Sequence, residues 1–227
     1  MRNRQFVRSL IPRVDMGSSL IGLWLFHDTV PLKAITRDEE CLASKLTPRR
    51  SRQFRHSRGC VRYALSELWQ IAALDIPLEA LPGKPPKLAD GWGFVSFSHC
   101  KDALLVGWSH KQIGVDIERL DRSFDAFKLA KKYFTVNEQK SIINLEPEAF
   151  RKSVLQKWIT KEAAIKWQKG TLSADLKFLD CRLKKSTVVH SRLGYSLLVH
   201  NACHHDWEIA VVSDSSEEHF RPMICIN

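Results

Sequence analysis

Alternating and continuous apolar stretches along the chain predict its strands. Residues 20–26 form an apolar run about one strand long. The segments 94–98, 103–109 and 112–118 are separated by polar breaks, which predicts short strands with antiparallel connections. Three more strand-like segments follow near the end of the chain: F-L-D-C-R-L, Y-S-L-L-V-H and W-E-I-A-V-V.

Apolar residues that recur every three to four positions predict helices elsewhere. The predicted helices span 36–46, 56–74, 124–132 and 148–169. Thr135-x-x-Glu138 is a capping box that predicts the start of a further short helix, and Gly170 predicts the end of the long one. Each half of the chain thus combines helices with an antiparallel sheet, so we predict an α+β fold of two similar lobes that meet near residue 114.

Size and composition fit one large domain or two small ones. The 227 residues are 44% hydrophobic and 26% charged, which is ordinary for a globular protein and excludes disordered, collagen and coiled-coil classes. No apolar run approaches the roughly 18 residues of a membrane-spanning helix. The six cysteines lie far apart without a C-x-x-C pair, so we expect free thiols in a reducing cytoplasm. Residues 1–17 are basic, lack a signal-peptide pattern and are interpreted as an N-terminal tail.

Charge favours a polyanionic partner. Lysine and arginine number 35 against 25 acidic residues, which gives a formal charge of +10. This excess of positive charge would attract nucleic acid, a phosphate-rich cofactor or an acidic protein. In the densest basic stretch, Arg55, Arg58 and Arg62 fall near one face of a predicted helix. A solvated face and a phosphate-binding site both explain that pattern.

Two carboxylates share one face of the predicted strand I-G-V-D-I-E. Because successive side chains point to opposite faces, Asp116 and Glu118 lie about 7 Å apart beside Gly114. Like charges so placed repel unless a cation lies between them, and hard oxygen ligands suit Mg²⁺. A solvent-facing strand edge with two acids is the alternative interpretation.

A third carboxylate falls on the apolar face of the long predicted helix. Glu162 lies inside the apolar arc, with Lys166 one turn later and Lys161 at its margin. A carboxylate among apolar residues is costly unless it is paired or binds a metal. A Glu162–Lys166 pair at i,i+4 explains the pattern equally well. Ser98 and His99 close another predicted strand, where a hydroxyl and an imidazole can meet a ligand.

Together these motifs resemble the Sfp-type 4′-phosphopantetheinyl transferases. The shared pattern runs from G-K-P at 83–85 through S-H at 98–99 and G-V-D-I-E at 114–118 to W-I-T-K-E-A-A-I-K at 158–166. The last two motifs, in this order and about forty residues apart, are a specific signature. The resemblance implies two pseudo-symmetric α+β lobes, with coenzyme A in the cleft between them. Residues 18–113 would form the N-terminal lobe and 114–227 the C-terminal lobe.

The resemblance also implies roles for individual residues. Asp116, Glu118 and Glu162 look like the ligands of Mg²⁺, and Glu162 is also the expected general base. The catalytic set is expected to be Asp116, Glu162 and Lys166, the last offsetting charge on the pyrophosphate. The expected contacts to coenzyme A come from Arg50, Arg58, Lys84, Pro85, Ser98, His99, Lys161 and Lys166. Of these, His99 and Arg58 would hold the 3′-phosphate.

The implied activity is that of a holo-[acyl-carrier-protein] synthase. It transfers the 4′-phosphopantetheine group of coenzyme A to a serine of an apo carrier protein and releases 3′,5′-ADP. Expected partners are an acidic acyl carrier protein and carrier domains of polyketide or peptide synthases, in the corresponding biosynthesis or that of fatty acids. We expect a cytoplasmic monomer that binds neither nucleic acid nor a membrane. Residues 124–145 are the expected apolar contact for the carrier.

Two other classes of protein remain open. A Mg²⁺-dependent nuclease also needs acids on a strand and a nearby lysine, and it predicts cleavage of nucleic acid without coenzyme A. A non-catalytic, basic nucleic-acid-binding module would use the arginine-rich helix. It predicts that removing Asp116 leaves activity intact.

Overall fold

A computed structural model describes residues 21–171, 175–214 and 223–226. The predicted N-terminal tail, 1–17, lies outside this part of the chain. Within it, no helix combines the length and the apolarity needed to cross a membrane.

The described residues form five α-helices and eleven strands. The helices are α1 (Arg37–Ser44), α2 (Pro48–Trp69), α3 (Ala126–Tyr133), α4 (Val136–Ile142) and α5 (Pro147–Gln168). The strands are β1 (Ile21–His27), β2 (Leu78–Glu79), β3 (Lys87–Leu88), β4 (Phe94–His99), β5 (Ala103–Ser109), β6 (Ile113–Arg119), β7 (Leu179–Arg182), β8 (Thr187–His190), β9 (Ser196–His204), β10 (Trp207–Ser213) and β11 (Met223–Ile226).

Two larger sheets carry the fold. One has the strand order β11-β1-β5-β4 and the other β6-β10-β9-β8-β7, while β2 and β3 form a small ribbon. Every pairing is antiparallel except that of β11 with β1, which is parallel. The predicted α+β class is confirmed. The division of the chain into two lobes at residues 113 and 114 stays a prediction. One strand crosses that division, since β11, near the end of the chain, pairs with β1 in the sheet of the first half.

The two long helices have matching ends. Both α2 and α5 begin with a proline in the first turn, where an N–H would have no intrahelical partner. Each is followed by a C-cap residue with left-handed backbone, Gln70 (φ 53°) after α2 and Lys169 (φ 55°) after α5. The helix predicted from residue 56 begins at Pro48, because the arginines that follow favour helix without adding to the apolar stripe. The capping box predicted at Thr135 is present at the start of α4.

Four apolar clusters lie among the described residues, and three of them involve the sheets. One packs α2 on the four-stranded sheet, and a second packs α5 on the five-stranded sheet. The third lies between the two sheets and includes Leu23, Leu105, Val115, Ile117 and Ile209. Full burial of such a side chain contributes about 1.5–3 kcal/mol, so the third cluster joins the two halves into one body.

The side chains of β6 alternate between the third cluster and α5, as the sequence predicts. Ile113, Val115 and Ile117 enter the cluster between the sheets. Gly114 lies on the other face, where an added Cβ would come within 2.0 Å of the Ala163 carbonyl oxygen. A side chain at this position would therefore push α5 away from the strand. The glycine brings the strand acids close to the helix that carries Glu162.

Candidate functional site

A cleft of about 760 Å³ lies between the two halves of the molecule. Its lining includes Arg58, Lys84 and Pro85 from the first half, and Lys166 and Trp167 from the end of α5. The structure thus brings four of the residues expected to contact coenzyme A into one cavity. Cavities of this size commonly hold small-molecule ligands.

Asp116 does not line the cleft formed by the described residues, but it accepts hydrogen bonds from side chains of both halves of the chain. It is 2% exposed, and its Oδ1 accepts hydrogen bonds from Ser98 Oγ at 2.6 Å and Lys166 Nζ at 2.7 Å. Lys166 Nζ also donates to the Val115 carbonyl oxygen at 3.1 Å. Oδ2 of Asp116 has no hydrogen-bond partner among the described residues. A buried carboxylate oxygen without a partner is costly, and a cation would satisfy it.

Glu118 follows two residues later on the same face of β6. Its carboxylate accepts a hydrogen bond from Arg122 Nη1, in the loop before α3. Burial raises the pKa of Glu118, and Asp116 adds to this, while the positive charge of Arg122 opposes it. The side chain therefore lies in the field of the neighbouring acid, as expected for two carboxylates on one strand face.

Glu162 faces these acids from α5. Burial, followed by the charge of Asp116, raises its pKa from an ordinary 4.5 to about 7, although Lys166 opposes the change. Glu118 raises the pKa further. A carboxyl group that is half-ionised near neutral pH can accept a proton or respond to an added cation.

We call Asp116, Glu118 and Glu162 the acid cluster. Its hard oxygen donors and the unpartnered Asp116 Oδ2 fit a divalent cation such as Mg²⁺ in kind. In the described part of the chain, however, no three His, Cys, Asp or Glu side chains already stand in a ligand arrangement. Lys166 and Arg122 instead hold oxygens of Asp116 and Glu118. The metal role of the acid cluster stays a prediction.

Positively charged side chains act on His99, at the end of β4. The pKa of His99 is lowered by burial first and then by the charges of Lys166 and Arg58, while Asp116 opposes the change. Arg58 is buried and points two of its nitrogens at the Ala80 carbonyl oxygen. Burial lowers its pKa to about 10, so it keeps its charge at neutral pH. The charge of Arg58 therefore acts on His99, although His99 is not part of the cleft lining formed by the described residues.

The structure corrects the role expected for Lys161. This side chain is completely buried, and its Nζ donates to Glu138 Oε2 at 2.8 Å and to the carbonyl oxygens of Tyr133, Leu176 and Leu179. One residue along a helix turns the side chain by about 100°, so Lys161 points away from Glu162 and into the core. It anchors α5 and does not contact a phosphate.

Two other residues expected to contact coenzyme A, Ser98 and Arg50, are not part of the cleft lining formed by the described residues. The hydroxyl of Ser98 is buried and donates to Asp116, so it orients the carboxylate rather than bordering an adenine. Arg50 is exposed on the first turn of α2, about 12 Å along the helix axis from Arg58. It does not belong to the cleft lining formed by the described residues, and its contact with coenzyme A stays a prediction.

The arginine-rich face of α2 is neither a solvated surface nor one phosphate site. Arg62 is buried in an ion pair with Glu39 and donates to several carbonyl oxygens, and Arg55 pairs with Glu40. Arg58 alone among the three lines the cleft. Sequence reasoning also missed Arg122 at the acid cluster. Its position four residues after Glu118 was a signal, but this spacing indicates a contact only when the segment is helical.

Known proteins are similar to this chain over the region of the acid cluster. Residues 112–216 match the model of a family described as the 4′-phosphopantetheinyl transferase superfamily. The matched region contains the acid cluster and Lys166 but not Arg58, Lys84 or His99. The chain is also 27% identical over 168 residues to the 4′-phosphopantetheinyl transferase HetI of Nostoc sp.. That alignment covers 68% of this chain and 71% of the relative.

Proposed function

We propose that this chain, which matches the 4′-phosphopantetheinyl transferase superfamily over residues 112–216, transfers 4′-phosphopantetheine from coenzyme A to a serine of an apo acyl or peptidyl carrier protein. The products are the holo carrier protein and 3′,5′-ADP. One observation carries the proposal: the acid cluster meets Lys166, and Lys166 also lines a cleft large enough for a nucleotide. We assign the protein to the Sfp type and the holo-[acyl-carrier-protein] synthase activity.

The cleft residues would bind coenzyme A. Lys84 and Pro85 line the part formed by the loop before β3, where the adenine would lie. Arg58, which lines the cleft, would meet the 3′-phosphate together with His99, on whose pKa the charge of Arg58 acts. Lys166 is 32% exposed, so its ammonium group can reach the pyrophosphate while it stays close to Asp116.

Transfer needs a proton acceptor and compensation of charge. The serine oxygen attacks the phosphorus that bears pantetheine, and the bond from that phosphorus to the 3′,5′-ADP oxygen breaks. Glu162, whose pKa is about 7, takes the serine proton. Lys166 offsets charge on the leaving group, and Ser98 holds the Asp116 carboxylate in one orientation.

The acid cluster would hold Mg²⁺, which supplies positive charge beside the pyrophosphate when bound. Asp116 offers its unpartnered Oδ2, and Glu118 and Glu162 offer carboxylates on the same side of the strand and helix. A role of Glu162 as ligand and a role as base predict different responses to added metal.

An exposed apolar surface is suited to the carrier protein. Phe127, Val136, Ile143 and Leu145 are all exposed within 124–145. Exposed lysines lie among them at positions 128, 131, 132 and 140. Apolar groups surrounded by positive charge fit an acidic helical partner, so we place carrier docking here. The docking should weaken as salt concentration rises.

The direct test is incubation with coenzyme A, Mg²⁺ and a purified apo acyl carrier protein, followed by intact-mass analysis. We expect the carrier to gain the mass of one phosphopantetheine and 3′,5′-ADP to appear in equal amount. A carrier whose acceptor serine is replaced by alanine is the matched control. No mass gain, together with nucleic-acid cleavage in the absence of coenzyme A, would favour a nuclease instead.

We also place the protein in the cytoplasm, as a monomer. Five described cysteines, Cys41, Cys60, Cys100, Cys181 and Cys203, are free thiols. Free thiols are usual in a reducing compartment. Burial raises the pKa values of Cys60 and Cys100, to about 12 and about 11, so these two thiols stay protonated and unreactive at neutral pH.

A further inference from the structure

The acid cluster is balanced by positive side chains of the protein itself. In the described part of the chain, Lys166 makes an ion pair with Asp116 and Arg122 makes one with Glu118. The charge of Arg122 also acts on Glu162, where it opposes the rise in pKa. The positive charge of Arg122 therefore acts on two of the three carboxylates, although Arg122 belongs neither to β6 nor to α5.

The backbone of Arg122 is fixed while its side chain remains accessible. Arg151, on α5, donates hydrogen bonds to the carbonyl oxygens of Leu120 and Arg122, the latter at 2.9 Å. The Arg122 amide also donates to the Arg119 carbonyl oxygen. The Arg122 side chain is 35% exposed, and its guanidinium lies 5.9 Å from the ring of Phe124. The guanidinium can therefore turn away from Glu118 without movement of the loop.

A divalent cation and Arg122 would compete for the same carboxylate. Nη1 of Arg122 is directed at Glu118 Oε1, and a cation bound by that oxygen would place like charges in contact. We propose that Arg122 is the resident counter-charge of the acid cluster, which a divalent metal ion must displace from Glu118 in order to bind. The inference rests on the metal role that the proposed function gives to the acid cluster. Lys166 differs, because it keeps a second acceptor in the Val115 carbonyl oxygen.

Metal binding by the protein without coenzyme A tests this directly. Mg²⁺ and Mn²⁺ are titrated calorimetrically into the wild type, Arg122→Gln, Arg122→Lys and the control Lys128→Gln. A partly exposed ion pair contributes up to about 1 kcal/mol, so Arg122→Gln should bind metal about five-fold more tightly. Arg122→Lys, which keeps the charge, should stay within about two-fold of the wild type. Lys128 pairs with Asp125 and is 84% exposed, so its removal should leave metal affinity unchanged.

A second measurement protects the test from a folding defect. Circular dichroism verifies that each variant is folded, and Arg122→Met replaces Arg122→Gln if the latter is not. Adding Mg²⁺ should raise the thermal midpoint of the uncharged variant more than that of the wild type. Equal or weaker metal binding by Arg122→Gln overturns the proposal, as does binding by none of the proteins. Either result leaves the mass assay for phosphopantetheine transfer as an independent test of the proposed function.

Discussion

Replacing Glu162 by glutamine removes a carboxyl group whose burial is costly but keeps its shape. The pKa of Glu162 rises from 4.5 to about 7. Each pKa unit corresponds to about 1.4 kcal/mol, so ionised Glu162 costs the folded state about 3 kcal/mol. In the unfolded chain the group loses its proton near pH 4.5, whereas in the folded chain it keeps the proton up to about pH 7. The free energy of unfolding should therefore fall as pH rises through this window and level off above it.

Glu162→Gln should lack this pH dependence. At pH 8, without divalent metal, the variant should be more stable than the wild type by up to about 3 kcal/mol. At pH 4.5 the two proteins should be nearly equal. Thermal or urea unfolding between pH 4.5 and 8 measures the difference. A pair with Lys166 that stabilised the fold would give the opposite order at pH 8 and would refute the reasoning.

The same variant should lose catalysis. Loss of a general base reduces kcat by roughly 10²-fold or more, which intact-mass time courses with coenzyme A and an apo carrier can resolve. Raising the Mg²⁺ concentration then distinguishes the two roles of Glu162. Activity lost through a weakened ligand should be partly restored by excess metal, whereas activity lost with the base should not. An unchanged kcat would show that Glu162 has only a structural role.

Three further substitutions test neighbouring parts of the site. Asp116→Ala should abolish transfer yet remain folded, because it removes a buried carboxylate with one unpartnered oxygen; wild-type turnover in the folded variant would contradict the assignment. His99→Ala should reduce discrimination between coenzyme A and its 3′-dephospho form, as kcat/KM on both substrates shows, and an equal loss on both would indicate a structural histidine. Lys161→Met leaves the buried Glu138 unpaired and should destabilise the protein by about 3–5 kcal/mol in urea unfolding. If the variant keeps its stability but no longer binds coenzyme A, Lys161 contacts a phosphate after all.

Local periodicity predicted the parts of the site that depend on one element at a time. The alternation of β6 predicted Asp116 and Glu118 on one face, and in the structure both lie on the side of β6 that faces α5. The helical pattern put Glu162 on the face that meets them. These predictions succeeded because a strand face and a helix face are fixed by spacing along the chain.

Contacts between distant segments could not be predicted in this way. Lys161 pairs with Glu138, twenty-three residues earlier and on another helix, so the helical pattern showed only that Lys161 was near the apolar arc. β11 is four residues long, and its partner β1 lies almost two hundred residues away. The left-handed backbone of Lys169, directly after α5, could not be predicted either, because the neighbouring Gly170 is the stronger sequence signal for the end of a helix.

The neighbouring residues Lys161 and Glu162 explain how the site keeps its geometry. The buried ammonium of Lys161 is held by acceptors from α3, α4 and the start of β7, which fixes the rotation of α5 about its axis. On the other side of the same turn, Gly114 allows α5 to lie directly against β6. With rotation and distance both set, Glu162 faces Asp116 although its side chain makes no hydrogen bond within the part of the chain that the structure describes. A buried lysine outside the cleft thus positions the carboxylate that we propose as the base.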